Sequence, residues 1–400
     1  MLRAKYITAI SLISILAFST GCDSYATKKA AAKLRWEKAT ARAKVPAARG
    51  LFENGRIDDA EKTLQQCLEI NPEVAEAHLL MGRIHFARGS LTQALDSLHL
   101  AVKLDNKLDK AWYLLAAVSQ QNNQPQKAIE YFNKAMSLEP ANIDYITAVA
   151  ETYVAQGRQN KALGLLKDKA RLIPRRAELK IATADVLNRL GKTRDAIAMY
   201  NQALLLKSGD PDITEALAYC YIMDRQWANA AKMLDELVAK SVDPEKEAYL
   251  QLLAVCSMSE REYGKAVTYY DQLSVTRRDD VELWLQMGQA ALGAGASNRA
   301  YICAARALAL RPAWPDAIAL KACAQYLSAD YADAIKTFRR ITSNERIGAF
   351  AWTMTGRCYQ QLGQTIRAQR AYEKAASLNS ESELLSLLMK RAERTQDRKS

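Results

Sequence analysis

Along residues 111–140, AWYLLAAVSQQNNQPQKAIEYFNKAMSLEP, the apolar and small residues Trp112, Leu115, Ala116 and Ser119 return at i, i+3, i+4 and i+7, the spacing of one helix face. Pro125 stands where a second helix can begin without losing a needed N–H donor. Ala128, Phe132 and Ala135 then hold one face until Pro140 closes the unit. The stretch predicts two antiparallel helices joined by a tight turn.

The same pattern recurs along the chain. Alanine stands at 60, 94, 128, 162, 196, 230, 266, 300, 334 and 368, with intervals of 34 residues except for 36 between Ala230 and Ala266. Twelve residues before each lies another small residue, Ala48, Gly82, Ala116 and so on to Gly356. Small side chains on facing helices let the backbones approach, and a larger residue there overpacks the contact at a cost of about 1–3 kcal/mol. Glycines 55, 89, 157, 191, 295 and 363 mark the turn inside six units, and prolines 72, 140, 174 and 312 end four.

Trp112, Ala116, Ala128, Phe132, Ala135 and Pro140 stand at the spacings of the tetratricopeptide repeat, and the stretch resembles that family. The resemblance implies an all-α fold: a right-handed α-solenoid of about ten helix-turn-helix repeats, forming one elongated domain over residues 46–380. Leu384, Leu385, Leu387, Leu388 and Met389 predict a C-terminal capping helix over 381–400 that covers the last repeat. Repeats six, seven and nine match least well: the usually small position 27 holds Leu237, Leu273 and Ile341, as it holds Lys169 in repeat four. The two extra residues fall near 241–247 and predict a longer junction there.

Ahead of the repeats, Arg3 and Lys5 precede an apolar run from Tyr6 to Phe18, too short to span a bilayer comfortably. Ser19, Thr20 and Gly21 then lead to Cys22, so residues 1–21 read as an export signal resembling a bacterial lipobox, although leucine is usual where Ser19 stands. That resemblance implies lipidation of Cys22. Residues 22–45 are rich in Lys28, Lys29, Lys33, Arg35, Lys38, Arg42 and Lys44, a basic linker suited to anionic headgroups beside a lipid anchor. Pro46 predicts that the first helix of repeat one starts there, shortened.

The formal charge of +12 comes with basic residues clustered at the two ends and no nucleic-acid motif, so an anionic membrane or envelope polymers fit it better than nucleic acid. Six cysteines besides Cys22 occupy helical positions without C-x-x-C spacing, and most read as packing; a bridge such as Cys303 to Cys323, between adjacent helices, stays open, because sequence does not set connectivity. His78 and His85 lie about 10 Å apart along a helix and cannot share a metal ion. No phosphate loop or nucleophile elbow occurs, so the sequence predicts no catalytic residue, cofactor or metal, and no enzyme.

Function then falls to the concave surface, which in tetratricopeptide arrays is lined by repeat positions 2, 5, 9, 12 and 13. Here those positions carry Arg49, Phe52, Arg83, Phe86 and Tyr113 early, and Glu151, Asp185, Asn188 and Arg189 in the middle. Later repeats carry Tyr219, Ile222, Met223, Val255, Met258, Leu285, Leu292, Tyr326 and Leu327. Such a groove suits an extended or helical peptide whose apolar anchors enter the later part. The expected function is a lipid-anchored interaction scaffold of the bacterial envelope that assembles or localises a multiprotein complex. The alternatives are a pilotin-like or export chaperone for a pilus, secretin or exopolysaccharide system, and a regulatory subunit of an envelope enzyme.

Overall fold

The computed structural model describes residues 2–242 and 245–378, with only the backbone of residues 2–24. The chain divides into two compact units, with the division in sequence between Gly191 and Lys192. The predicted capping helix lies outside the described residues.

The first unit holds α1 (Leu2–Glu53), α2 (Ile57–Ile70), α3 (Ala75–Ala87), α4 (Leu91–Leu104), α5 (Asp109–Gln121), α6 (Pro125–Leu138), α7 (Ile143–Ala155), α8 (Gln159–Leu172) and α9 (Ala177–Arg189). The second holds α10 (Thr193–Leu206), α11 (Pro211–Met223), α12 (Trp227–Val238), α13 (Glu245–Ser259), α14 (Tyr263–Thr276) and α15 (Val281–Gly293). It continues with α16 (Ser297–Leu310), α17 (Pro315–Leu327), α18 (Tyr331–Arg339), α19 (Gly348–Gln361) and α20 (Thr365–Leu378). Among the described residues every element is a helix, as the repeat pattern requires.

All ten repeat alanines from Ala60 to Ala368 are fully buried. The small residue twelve positions earlier sets how close each pair comes. A Cβ added at Gly82 would stand 2.5 Å from Leu98, and one at Gly356 would stand 2.4 Å from the Tyr372 ring. Tight turns are equally regular. The six predicted turn glycines have φ between +71° and +75°, and Asn123, Arg225, Arg261 and Ala329 adopt φ of +56° to +61° at the same register in the other four repeats. The turn therefore demands the left-handed conformation whether or not glycine is present.

Helix starts follow local chemistry. Pro125, Pro211 and Pro315 open α6, α11 and α17, while the side chains of Asn142, Asp210 and Asp280 accept backbone N–H groups at the starts of α7, α11 and α15.

The weaker repeats show where the pattern bends. Leu237, Leu273 and Ile341 at position 27 are all buried. In repeats six and nine the second helix is short, 12 residues in α12 and 9 in α18, against 14 in α14. α12 ends at Val238 and α13 begins at Glu245, and residues 243–244 of the expected longer junction lie outside the described residues.

Pro46 does not start a helix. α1 runs through it without interruption, and Ala41 and Val45 pack into the first core cluster with Ala60, Leu64 and Leu80. The buried Cys67 thiol also donates to the Ala41 carbonyl at 3.0 Å. Proline lacks one N–H and its ring crowds the carbonyl of residue 42, but apolar contacts on both sides of it carry the helix across.

Candidate partner-binding faces

In the first unit, positions 9 and 12 of neighbouring first helices come together at two places. The Arg83 guanidinium lies 4.9 Å from the centre of the half-buried Phe52 ring, and Arg49 is exposed beside them in sequence register. Phe86 packs partly into the cluster around Leu98 and Leu115. Tyr113 stacks on Tyr145 at 5.1 Å and tilts against Phe132 at 5.4 Å. Burial, with Asp144 and Glu151 nearby, pushes the Tyr113 phenol above its ordinary range.

Between α7 and α9 the chain forms a hollow of about 590 Å³ lined by Thr147, Glu151, Val154, Asp185, Asn188 and Arg189. The structure thus brings the four middle-repeat residues together. The buried Oδ1 of Asn188 has no hydrogen-bond partner. Thr147 and Val154, absent from the sequence prediction as contacts, occupy positions 5 and 12, which the repeat register already marked.

In the second unit the corresponding side is apolar and open. Met223 is 61% exposed, Leu327 51% and Tyr219 44%, and Val255 joins them at position 9 of the next repeat. Ile222 and Met258 are half-buried against the cluster built on Leu253 and Tyr270, so each offers only an edge. Leu292 packs similarly against Leu320 and Ala304. Tyr326 meets Tyr331 edge-on at 5.5 Å and carries the Arg357 guanidinium 5.6 Å above its ring.

Leu285 leaves the candidate set. At 7% exposure it packs with Ala304, Ala307 and Trp314 beneath the surface. Its position 5 lies close enough to the neighbouring first helix, α17, for a long aliphatic chain to be covered.

A second hollow of about 590 Å³, not foreseen from sequence, lies against α12 and α14 and is lined by Trp227, Lys232, Asp235, Glu260, Glu262 and Lys265. Its charges are partly matched among themselves: Lys265 pairs with Glu262 at 2.8 Å. An exposed ion pair of this kind contributes little to stability.

No disulfide joins the six described cysteines. Burial pushes the Cys256, Cys303 and Cys323 thiols up to about 11 and Cys358 to about 12, so they stay protonated packing groups at neutral pH. Cys303 and Cys323 are both free thiols in this structure. His78 Nε2 shares a hydrogen bond with the Pro72 carbonyl at 2.8 Å, and His99 Nε2 with the Tyr131 hydroxyl at 3.2 Å. Among the described residues no group of three or more His, Cys, Asp or Glu could hold a metal ion, and no helix is long and apolar enough to cross a membrane. Cys22, the expected lipidation site, lies outside the described side chains.

Family models described as "Tetratricopeptide repeat" match residues 51–118, 187–256, 109–142 and 351–382. The chain is similar to tetratricopeptide repeat protein 21B of Xenopus laevis, 24% identical over 267 residues that make 59% of this chain and 20% of that protein. It is also similar to the mitochondrial import receptor subunit TOM70 of Homo sapiens, 24% identical over 121 residues, 30% of this chain and 20% of the receptor. The match thus spans about a fifth of the length of each of these relatives. Among solved structures, PilF of Pseudomonas aeruginosa aligns at 21% identity over 53% of this chain and 96% of its own, with a TM-score of 0.42.

Proposed function

Because this chain is a tetratricopeptide-repeat protein, we propose that it works by holding other proteins against its first-helix faces rather than by catalysis. The observation that carries this reading is the set of Tyr219 and Met223 on α11, Val255 on α13 and Leu327 on α17, large apolar side chains left open to solvent at positions 9 and 13 of three of the second unit's first helices. Burying such a group contributes about 1.5–3 kcal/mol, so a partner offering three or four apolar anchors gains enough to be held. The hollow between α7 and α9, with Glu151, Asp185 and Arg189, suits the charged part of a peptide instead.

The reading extends to place. With the apolar run from Tyr6 to Phe18, the lipobox-like residues before Cys22 and the basic stretch after it, the chain acts as a lipid-anchored scaffold of the bacterial envelope that gathers a multiprotein complex. Two experiments separate the parts. Labelled fatty acid should appear on the full chain and not on Cys22→Ser, and its absence from both overturns the anchor. A Met223→Ser, Leu327→Ser chain of unchanged helicity should lose the partners that the full chain retains; equal retention overturns the binding face.

A further inference from the structure

The continuity of α1 through Pro46 changes what the basic stretch ahead of the repeats can do. Instead of a loose tether it is a helix that shares its axis with the first helix of repeat one, and from residue 25 to residue 36 every side chain on it is open to solvent. Ala41, Val45 and Ala48 mark the face turned into the array. At 100° per residue, Tyr25 and Trp36 fall within about 20° of one another and point nearly the opposite way. Both are open to solvent, Tyr25 at 71% and Trp36 at 68%.

The charges sit around these rings. Lys29 and Lys33 lie one turn or two before Trp36 on its own stripe, and Lys28 and Arg35 flank that stripe on the other side. Between residues 25 and 44 there are seven basic side chains against one acidic residue, Glu37, which pairs with Lys33 at 3.8 Å. A single exposed pair at that distance leaves the excess positive charge almost intact. Tyrosine and tryptophan settle at the headgroup level of bilayers, and lysine and arginine beside them meet anionic phosphates.

We propose that the Tyr25–Trp36 face of α1 lies on an anionic phospholipid surface and thereby sets the angle at which repeat one stands from the membrane. This rests on the envelope reading above but adds a second contact beyond any lipid on Cys22. Residues 25–40 extend about 24 Å at 1.5 Å per residue, enough for four turns of contact. Because the same rigid helix then enters the core beside Ala60 and Leu64, orientation is transmitted without a hinge.

The test uses the full chain reconstituted with vesicles of phosphatidylglycerol and phosphatidylcholine, some lipids brominated near the headgroup. The fluorescence lost in Trp36→Phe isolates the Trp36 signal from the other tryptophans. The expected result is bromine quenching and a blue shift of Trp36 in anionic vesicles and neither in pure phosphatidylcholine. Lys28→Gln with Lys29→Gln should weaken the affinity for anionic vesicles roughly thirtyfold, since each basic residue near such a surface contributes about one kcal/mol. Trp36 left water-exposed on a chain that is vesicle-bound overturns the proposal and spares the anchor. No binding to either vesicle overturns both. A Trp36 signal that shifts with polyglutamate but not with lipid assigns the face to an acidic protein and also overturns the proposal.

Discussion

The guanidinium of Arg83 sits 4.9 Å over the ring of Phe52, one repeat earlier, and the same two repeat positions bring Arg357 to 5.6 Å over Tyr326. Position 12 supplies the ring and position 9 of the following repeat supplies the cation. The arrangement sets a cation over each ring, on a side of the first helices that is otherwise open.

A double-mutant cycle on Arg83→Ala and Phe52→Ala should therefore give a coupling of about 0.5–1 kcal/mol in urea unfolding. Added salt should leave most of that coupling in place. Strict additivity would mean that the two groups stack without attraction.

Ala329 adopts φ +61° where six repeats have glycine. A left-handed alanine costs about 1–2 kcal/mol, part of which the greater freedom of an unfolded glycine offsets. Ala329→Gly is expected to stabilise the chain by about 0.5–1 kcal/mol in urea titration. Gly295→Ala, the reverse change one repeat earlier, should destabilise by a similar amount.

Gly356→Ala tests the close approach of α19 and α20. Alanine is the better helix former, yet its Cβ would fall 2.4 Å from the fully buried Tyr372 ring. The clash wins, and a loss of about 1–3 kcal/mol is expected. A gain in midpoint would show that the two helices can separate at little cost.

Alkaline pH should weaken the second unit. Cys256, Cys303 and Cys323 are pushed to about 11 and Cys358 to about 12, above the ordinary 9.0 of an exposed thiol. Between these values the folded chain still holds protons that the unfolded chain has released, so stability is complete below pH 9 and falls as pH rises towards 11 and 12. Tyr372, pushed up to about 12 by burial, acts in the same direction. Replacing the four cysteines with alanine or serine should flatten the decline in the urea midpoint between pH 8 and pH 11. At pH 8 a thiol reagent should modify the native chain slowly and the unfolded chain at once.

The repeat was legible because one small residue is required at each helix contact, and alanine marks that requirement every 34 residues. The left-handed turn was legible where glycine stands. At Arg225, Arg261 and Ala329 only the register betrays it, because the side chain itself carries no sign of the conformation. Pro46 misled because a local rule about lost N–H donors competes with burial of Ala41 and Val45, which depends on a helix that follows in sequence. Leu285 was placed on the binding face by its position number, but how far a position 5 side chain is covered depends on the neighbouring first helix. The pairing of Tyr25 with Trp36 needed the helix to be continuous before an eleven-residue spacing could mean one face. The division at Gly191 has no mark in the sequence, where the period runs on unchanged.

The central claim is that partners are held on the open first-helix face of the second unit. Photocrosslinking residues placed singly at Met223, Val255 and Leu327, with Ala228 and Ile302 on second helices as controls, test it within cells. The account predicts that the three first-helix positions capture the same proteins and that the controls do not. Equal capture from the second-helix positions, or unrelated proteins at each site, would contradict it.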